Sequence, residues 1–312
     1  METLTFSPSP HIRTGRTVTT TMLHVIVALL PATVTALYFF GLDAAGVLAV
    51  SIAVCVAAEW AIDRFLLKRK PTLGDLSAVV TGLLLGLNLP AGLPWWTVAL
   101  GAVFAIGVGK MTFGGLGCNI FNPALAGRVF LLISFPVLMT TWPLPGDGFT
   151  ADGSTGPTVL SILKEGGNVL PATADLVTGH MGGSAGETGA AAILIGFIYL
   201  LAVRVISWHI PVAIIATAAL MCVAAGAPVA ENLLSGGLLL GSVFMATDYV
   251  TSPVTYRGML VYGILIGAVT MIIRLWGAYP EGVSFAILLG NGLTPLINLG
   301  TRPRRFGERS AR

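Results

Sequence analysis

Charged residues are scarce in this sequence. Only 10% of its 312 residues are charged, whereas a soluble domain averages about 25%. Hydrophobic residues make up 55% of the chain, and its mean hydropathy is +0.87. The apolar residues fall in runs of about 16 to 22, the length that crosses a hydrocarbon core of about 30 Å. Because so few charges cannot cover a surface that faces water, the composition predicts an integral membrane protein.

The sequence also lacks the patterns of several common functional sites. Its three cysteines, Cys55, Cys118 and Cys222, lie far apart, so we expect neither a metal site of the CxxC type nor a disulfide framework. It contains no recognisable Ser/His/Asp triad or phosphate-binding loop, so hydrolytic catalysis is not expected. The net charge of +3 comes without a basic block, so nucleic acid is not an expected partner.

Ten apolar runs predict an all-α membrane protein with about ten transmembrane helices. The third and the eighth run are short. The runs cover residues 22–40, 45–67, 75–90, 94–110, 119–142, 189–207, 210–226, 233–247, 258–276 and 281–299.

The positive charges predict how these helices are oriented. If residues 1–21 form a cytoplasmic N-terminal segment, most of the 17 Lys and Arg residues, including Lys110, fall on the cytoplasmic side. Membrane proteins show this bias towards positive charge inside. The same alternation places a basic tail, residues 300–312, in the cytoplasm. Both termini are therefore predicted to be cytoplasmic.

One connection between the runs is long. Residues 143–188 form a polar loop that the alternation places outside the cytoplasm, and long loops are usually functional or disordered. The loop separates two sets of five runs, residues 22–142 and 189–299. Because five is odd, a repeat between the sets must be inverted in the membrane. Inverted repeats place binding sites between their halves.

A weak internal similarity supports such a repeat. Residues 75–86 resemble residues 231–241, and residues 121–125 resemble residues 293–297, in the same order. We therefore expect two inverted five-helix repeats.

Three segments are candidates for binding. Residues 110–124 contain glycines, Asn119 and Asn122 at the end of a run; they could form a half-helix that grips a cofactor, or a tight turn. Residues 152–158 carry hydroxyl groups beside glycine in the long loop, a pattern that is common in any polar loop. In residues 246–255, Thr247 and Asp248 could bind a cation or a polar ring, or could cap a helix.

Three acidic residues lie near or within the runs. Glu59, Asp63 and Asp75 are functional candidates because acids are costly in a membrane. For Asp63 we favour a simpler role, an ion pair with Arg64 or Lys68.

Together these segments resemble one family, which contains the RnfD membrane protein of the Rnf electron-transport complex and the NqrB membrane protein of the sodium-pumping NADH:quinone reductase. The resemblance extends from about residue 22 to residue 299 and depends on an ordered set of blocks. These are residues 114–124, 135–136, 139–142, 152–158, 247–248 and 251–253.

The resemblance implies two flavins. In the family, FMN is attached by a flavin transferase, through a phosphoester to the last Thr of a short motif. Here Asp152 begins the motif, Thr155 and Gly156 lie in its middle, and Thr158 is the attachment residue; Pro157 replaces the usual Ala. The second flavin, a noncovalent riboflavin, would be lined by the segments that hold Asn119, Asn122, Thr247 and Asp248.

The resemblance also implies a context. The family's complexes couple ferredoxin and NAD chemistry to the translocation of Na⁺ or H⁺ across a bacterial or archaeal inner membrane. This chain would relay electrons beside a second flavin-bearing subunit, on a fold that resembles urea transporters. From the residues alone, two other classes stay open: a solute channel or transporter of inverted-repeat fold, and a scaffold subunit without a cofactor.

Overall fold

The computed structural model describes residues 15–146, 154–165, 171–277 and 279–303, and these are mostly helical. The helices are α1 (Val18–Ala61), α2 (Ser77–Leu87), α3 (Trp95–Gly107), α4 (Pro123–Ser134), α5 (Pro136–Thr140), α6 (Val159–Lys164), α7 (Thr173–Thr178), α8 (Ala190–Ala202), α9 (His209–Ala225), α10 (Val229–Leu234), α11 (Leu238–Leu240), α12 (Tyr256–Trp276) and α13 (Val283–Thr301).

Shorter elements complete the structure. Strands β1 (Trp142–Pro143) and β2 (Thr155–Gly156) pair antiparallel. Single π-helical turns, Ile62–Leu66 and Gly241–Met245, extend α1 and α11. Two 3₁₀ turns cover Leu73–Asp75 and Met111–Phe113.

Four helical segments of the described residues are long and apolar enough to cross a membrane. They are Val18–Leu66, Trp95–Phe113, Tyr256–Trp276 and Val283–Thr301. Helix also occupies part of each of the ten predicted runs. The prediction of a mostly helical membrane protein is therefore confirmed.

The first segment is too long for a single crossing. Its 49 residues would extend about 73 Å, more than twice the thickness of a hydrocarbon core of about 30 Å. Gly41 interrupts it with φ 56° and ψ −134°, a conformation outside the helical region. Glycine adopts this backbone because it has no Cβ. We call residues 18–40 and 42–61 the first and second arms of α1.

The structure corrects the bounds of three predicted runs. The fifth begins only at Pro123, and it breaks at Phe135 because Pro136 has no amide hydrogen to continue the helix. The eighth breaks between α10 and α11, where Gly236 has a positive φ of 66°. The third starts as a helix only at Ser77.

Helix packing follows a matching pattern in the two halves of the chain. The second arm of α1 packs against α2 and α3, and α9 packs against α12. Likewise α3 packs against α4, and α12 packs against α13. The halves meet where α4 contacts α13 and where the first arm of α1 contacts α8 at Gly196.

Glycine pairs spaced four residues apart allow the closest of these contacts. Gly82 and Gly86 on α2 face α1, and Gly263 and Gly267 on α12 face α9. Membrane helices associate through such small residues because lipid provides no hydrophobic drive between helices. The Ser51 hydroxyl donates to the Gly82 carbonyl at 2.7 Å across the first of these contacts.

The connections gather at two ends of the bundle. At the end that holds the first and last described residues, which we call the terminal end, Arg16 donates to the Arg204 carbonyl and Val254 N donates to Asn298. At the other, which we call the loop end, Gly146 N donates to the Phe39 carbonyl and Ala185 N to the Leu89 carbonyl. The long loop thus docks on the loop end, where it forms α6 and α7.

The glycine contact on α2 generates a stability prediction. A Cβ on Gly82 would lie 2.7 Å from Ile52 Cα, a backbone atom that cannot move aside alone. We expect Gly82→Ala to destabilise the protein by about 1–3 kcal/mol, the usual cost of overpacking. The effect would appear as a lower melting temperature of the full chain in detergent.

The matched control is Gly46→Ala in the second arm of α1. A Cβ on Gly46 meets no atom within 4 Å, and alanine favours helix over glycine. Its melting temperature should equal or exceed that of the unchanged protein. Equal melting temperatures for both variants would show that the α1–α2 contact is looser than the structure indicates.

Candidate functional site

A cavity that opens to solvent lies towards the terminal end of the bundle. The cavity is lined from both halves of the chain, and its lining contains four residues that the sequence singled out: Asn119, Asn122, Thr247 and Asp248. Tertiary packing therefore brings two separate sequence motifs to one cavity.

Asn122 joins these two motifs. Its side-chain oxygen accepts hydrogen bonds from Ala124 N at 3.0 Å and Leu125 N at 3.3 Å, which makes it the N-cap of α4. Its amide nitrogen donates to the Met245 carbonyl at 3.2 Å, in the other half. Asn followed by Pro is a favoured helix start. Residues 110–124 thus form both a turn and the start of a half-helix, the two alternatives that the sequence left open.

Asp248 lies at the cavity without a capping role. Thr255 caps the following helix instead, because its hydroxyl accepts from Gly258 N at 3.1 Å. Burial raises the pKa of Asp248, against the hydrogen bonds that Thr251 and Asn119 donate to the carboxylate. The Thr251 hydroxyl lies 3.2 Å from Asp248 Oδ2. Asp248 is therefore a polar group that a ligand in the cavity could contact.

Sequence reasoning missed the cation of this cavity. Lys110 was expected on the cytoplasmic side as a topology signal, but its side chain is only 2% exposed and lines the cavity. Its ammonium nitrogen lies 2.6 Å from Glu59 Oε2 and 2.5 Å from Ser77 Oγ. A charge is costly to bury unless it is paired and hydrogen-bonded, so Glu59 and Lys110 depend on each other. In the sequence, the only sign of this ion pair is Glu59, an acidic residue within an apolar run.

A chain of polar contacts connects this ion pair to the surface. The Thr72 hydroxyl lies 3.0 Å from Glu59 Oε1 and 3.2 Å from Asp63 Oδ2, and Arg69 Nε lies 2.7 Å from Asp63 Oδ1. The expected pairing of Asp63 with Arg64 or Lys68 is therefore wrong. The turn at Lys68, where φ is 50°, brings Arg69 back towards the carboxylate.

Thr158 lies apart from the cavity, on the loop end. Its hydroxyl caps α6 by accepting from Ser161 N at 3.2 Å, and the residue is 6% exposed. Thr155 and Gly156 form β2, which pairs with β1. Asp152, the predicted start of the motif, lies outside the described residues.

Contacts at the two ends of α12 show where Thr158 lies relative to the cavity. Asp248 precedes this helix, whereas Lys164, six residues after Thr158, donates to the carbonyl of Gly277 just beyond its last residue. A helix of 21 residues is about 30 Å long. Thr158 therefore lies towards the end of the bundle opposite Asp248 and outside the cavity lining.

Comparison with known proteins identifies relatives along nearly the whole chain. A model of the NQR2, RnfD, RnfE family matches residues 5–307. The chain is 48% identical to the subunit designated D in the Na(+)-translocating ferredoxin:NAD(+) oxidoreductase complex of Acetobacterium woodii, over 97% of this chain and 95% of that protein.

Two further relatives carry similar names. The chain is 41% identical to the subunit with the same letter in the proton-translocating ferredoxin:NAD(+) oxidoreductase complex of Clostridium ljungdahlii, over 98% of this chain and 96% of that protein. It is also 41% identical to its counterpart in the ion-translocating oxidoreductase complex of Stutzerimonas stutzeri, over 92% of this chain and 91% of that protein. The resemblance that the sequence motifs indicated is confirmed: this chain belongs to the NQR2, RnfD, RnfE family.

Proposed function

We propose that this chain is the RnfD-type membrane subunit of an ion-translocating ferredoxin:NAD⁺ oxidoreductase complex, which relays electrons through FMN on Thr158 and a riboflavin in the cavity. The observation that carries the proposal is the meeting of Asn119, Asn122, Thr247 and Asp248 in the lining of one cavity. The names of the relatives support the rest. One relative is named for Na⁺ translocation and another for proton translocation, so we do not infer the coupling ion of this chain from those names.

The proposed architecture is ten spans in two inverted five-helix repeats, like that of urea transporters. The matching packing of α3 on α1 and of α12 on α9 supports it. Two buried cations add support, because each lies at the end of the fourth span of its half. Lys110 meets Ser77 at the start of α2, and Arg274 donates to the Ser235 carbonyl before α11. These two contacts lie at opposite ends of the bundle, as inversion requires.

The proposed topology rests on the distribution of positive charges in the sequence. We place both termini in the cytoplasm of a bacterial or archaeal cell, so that the terminal end is cytoplasmic. The loop end, with Thr158, then faces the outside of the inner membrane. The two flavins would occupy opposite sides of the membrane, and a neighbouring subunit with its own flavin would exchange electrons with Thr158-bound FMN.

The cavity fits an uncharged flavin. Leu84 and Phe244 offer apolar walls for the ring, and Asn119 and Asp248 offer polar groups for the ring edge or the ribityl hydroxyls. The cation of the lining, Lys110, is already neutralised by Glu59, which leaves no free charge for a phosphate. When bound, the flavin would supply the redox chemistry, while the chain binds it and excludes water.

Thr158 has the hydroxyl that FMN attachment requires, but its burial restricts when a flavin transferase can reach it. Thr158 offers a hydroxyl at the motif position that is esterified in the family. Because Thr158 is 6% exposed and its hydroxyl caps α6, a flavin transferase must act before the loop docks, or α6 must leave the bundle. The proposal therefore includes an order of events, with flavin attachment first and loop docking second.

Covalent attachment can be tested by in-gel flavin fluorescence. After co-expression with a flavin transferase and denaturation in SDS, the full chain should give a fluorescent band. Thr158→Ala should abolish the band because no other hydroxyl occupies the last position of the motif. Ser161→Ala is the control, since its hydroxyl lies 3.2 Å from that of Thr158 but outside the motif. A band that survives Thr158→Ala would place the flavin elsewhere.

Riboflavin binding can be tested by filling the cavity. Ala124 lines the cavity, and Leu at this position would occupy ligand space; because Ala124 is 1% exposed, the melting temperature of the variant is measured alongside. We expect Ala124→Leu to weaken riboflavin binding at least tenfold, about 1.4 kcal/mol, as measured by quenching of flavin fluorescence. The control, Ala126→Leu, makes the same change on α4 at a residue outside the lining. Equal affinities for both variants would refute this location.

A further inference from the structure

A second buried ionic cluster lies towards the loop end, apart from the cavity. Arg128 on α4 is its centre, and its guanidinium contacts Glu281 before α13 and lies 3.7 Å from Glu187 before α8. The guanidinium also donates to Asn88 Oδ1 at 3.1 Å and to Ser284 Oγ at 3.0 Å. The cluster therefore joins both halves of the chain and the end of the long loop.

The two carboxylates are not equally satisfied. Glu281 takes the close contact with Arg128, and its side chain is 17% exposed. Glu187 is 4% exposed, and its Oε1 has no hydrogen-bond partner among the described residues. Its Oε2 accepts only a long bond, at 3.4 Å, from Ser184 N. An ionised carboxylate buried with so few partners is unfavourable.

Backbone and the guanidinium of Arg128 lie close to Glu187. A Cβ on Gly237 would lie 3.1 Å from Glu187 Oε1 and 3.4 Å from a guanidinium nitrogen of Arg128. Ca²⁺ and Mg²⁺ prefer six or more oxygen ligands, whereas the centre of this cluster is occupied by a guanidinium. A proton needs no such set of ligands.

We infer that Glu187 is a proton-binding site, which takes up and releases one proton while Glu281 keeps the guanidinium of Arg128. Uptake converts the Glu187 carboxylate to a carboxylic acid, and no electron moves. Glu281 provides the partly exposed side of the cluster through which solvent can be reached. Protonation removes the repulsion between the two carboxylates and so holds the loop segment against both halves.

The charges that face Glu187 agree with this assignment. Burial and the negative charge of Glu281 raise the pKa of Glu187 from its ordinary 4.5 to about 7, and Arg128 opposes the rise. Arg274 on α12 contributes a second, more distant positive charge to the same cluster. Like charges that share a site are known to raise one of the two pKa values.

The test is the pH dependence of melting of the full chain in detergent. Because the pKa of Glu187 is raised on folding, its contribution to stability is present below pH 4.5 and is lost as the pH rises to about 7. The melting temperature of Glu187→Gln, relative to the unchanged protein, should therefore increase by several degrees across this range and then level off. Glu165→Gln, at an exposed residue, should give a parallel profile. Parallel profiles for Glu187→Gln as well would overturn the inference.

Infrared titration provides a second measurement, which does not require Glu187→Gln to fold. The unchanged chain should show a carboxylic acid band that disappears near neutral pH. Glu281→Gln should move this titration to lower pH, because it removes the like charge. A midpoint that does not move would overturn the inference. A midpoint that depends on Na⁺ concentration would overturn the assignment to a proton in favour of a metal cation.

Discussion

A buried charge in a membrane protein must be matched inside the protein, and this constraint organises the whole structure. Hydrocarbon offers no partner for a polar group, so each unmatched group costs several kcal/mol. The buried charges described here each have partners on another segment. The pairs are Glu59 with Lys110, Asp63 with Arg69, Arg128 with Glu187 and Glu281, and Arg274 with backbone carbonyls. Apart from Asp63 and Arg69, which meet across a local turn, these contacts join segments that are far apart in the chain, so the charges also help to determine which segments meet.

The broken helices follow the same constraint. A helix interrupted within the bundle exposes amides and carbonyls that need partners. At Asn122 the side chain caps α4 and also donates to the Met245 carbonyl of the other half. Before α11, the guanidinium of Arg274 satisfies the Ser235 carbonyl. Both breaks are therefore stabilised by side chains, and both lie beside an ionisable cluster. This arrangement puts polar backbone where a ligand or a proton could bind.

Particular residues show how far sequence reasoning extends. Asn119, Asn122, Thr247 and Asp248 were chosen from two distant motifs, and the structure brings all four to one cavity. Lys110 was misjudged, because a cation near the end of an apolar run reads as a cytoplasmic anchor until its burial beside Glu59 is known. Asp63 was paired with the wrong cation for a similar reason. Side-chain partners depend on how the chain turns at Lys68, and the local sequence does not specify that turn.

The sequence alone determined that this is a mostly helical membrane protein, which parts of the chain form its apolar helices, and which family it belongs to. These properties depend on composition, on the length of apolar runs and on ordered motifs, all of which are local. Only the tertiary structure decided that Thr158 is buried as a helix cap, that Lys110 lines a cavity, and that Glu187 shares Arg128 with Glu281. Burial and ion pairing arise between segments that are far apart in the chain, so they are set by packing and cannot be derived from local sequence.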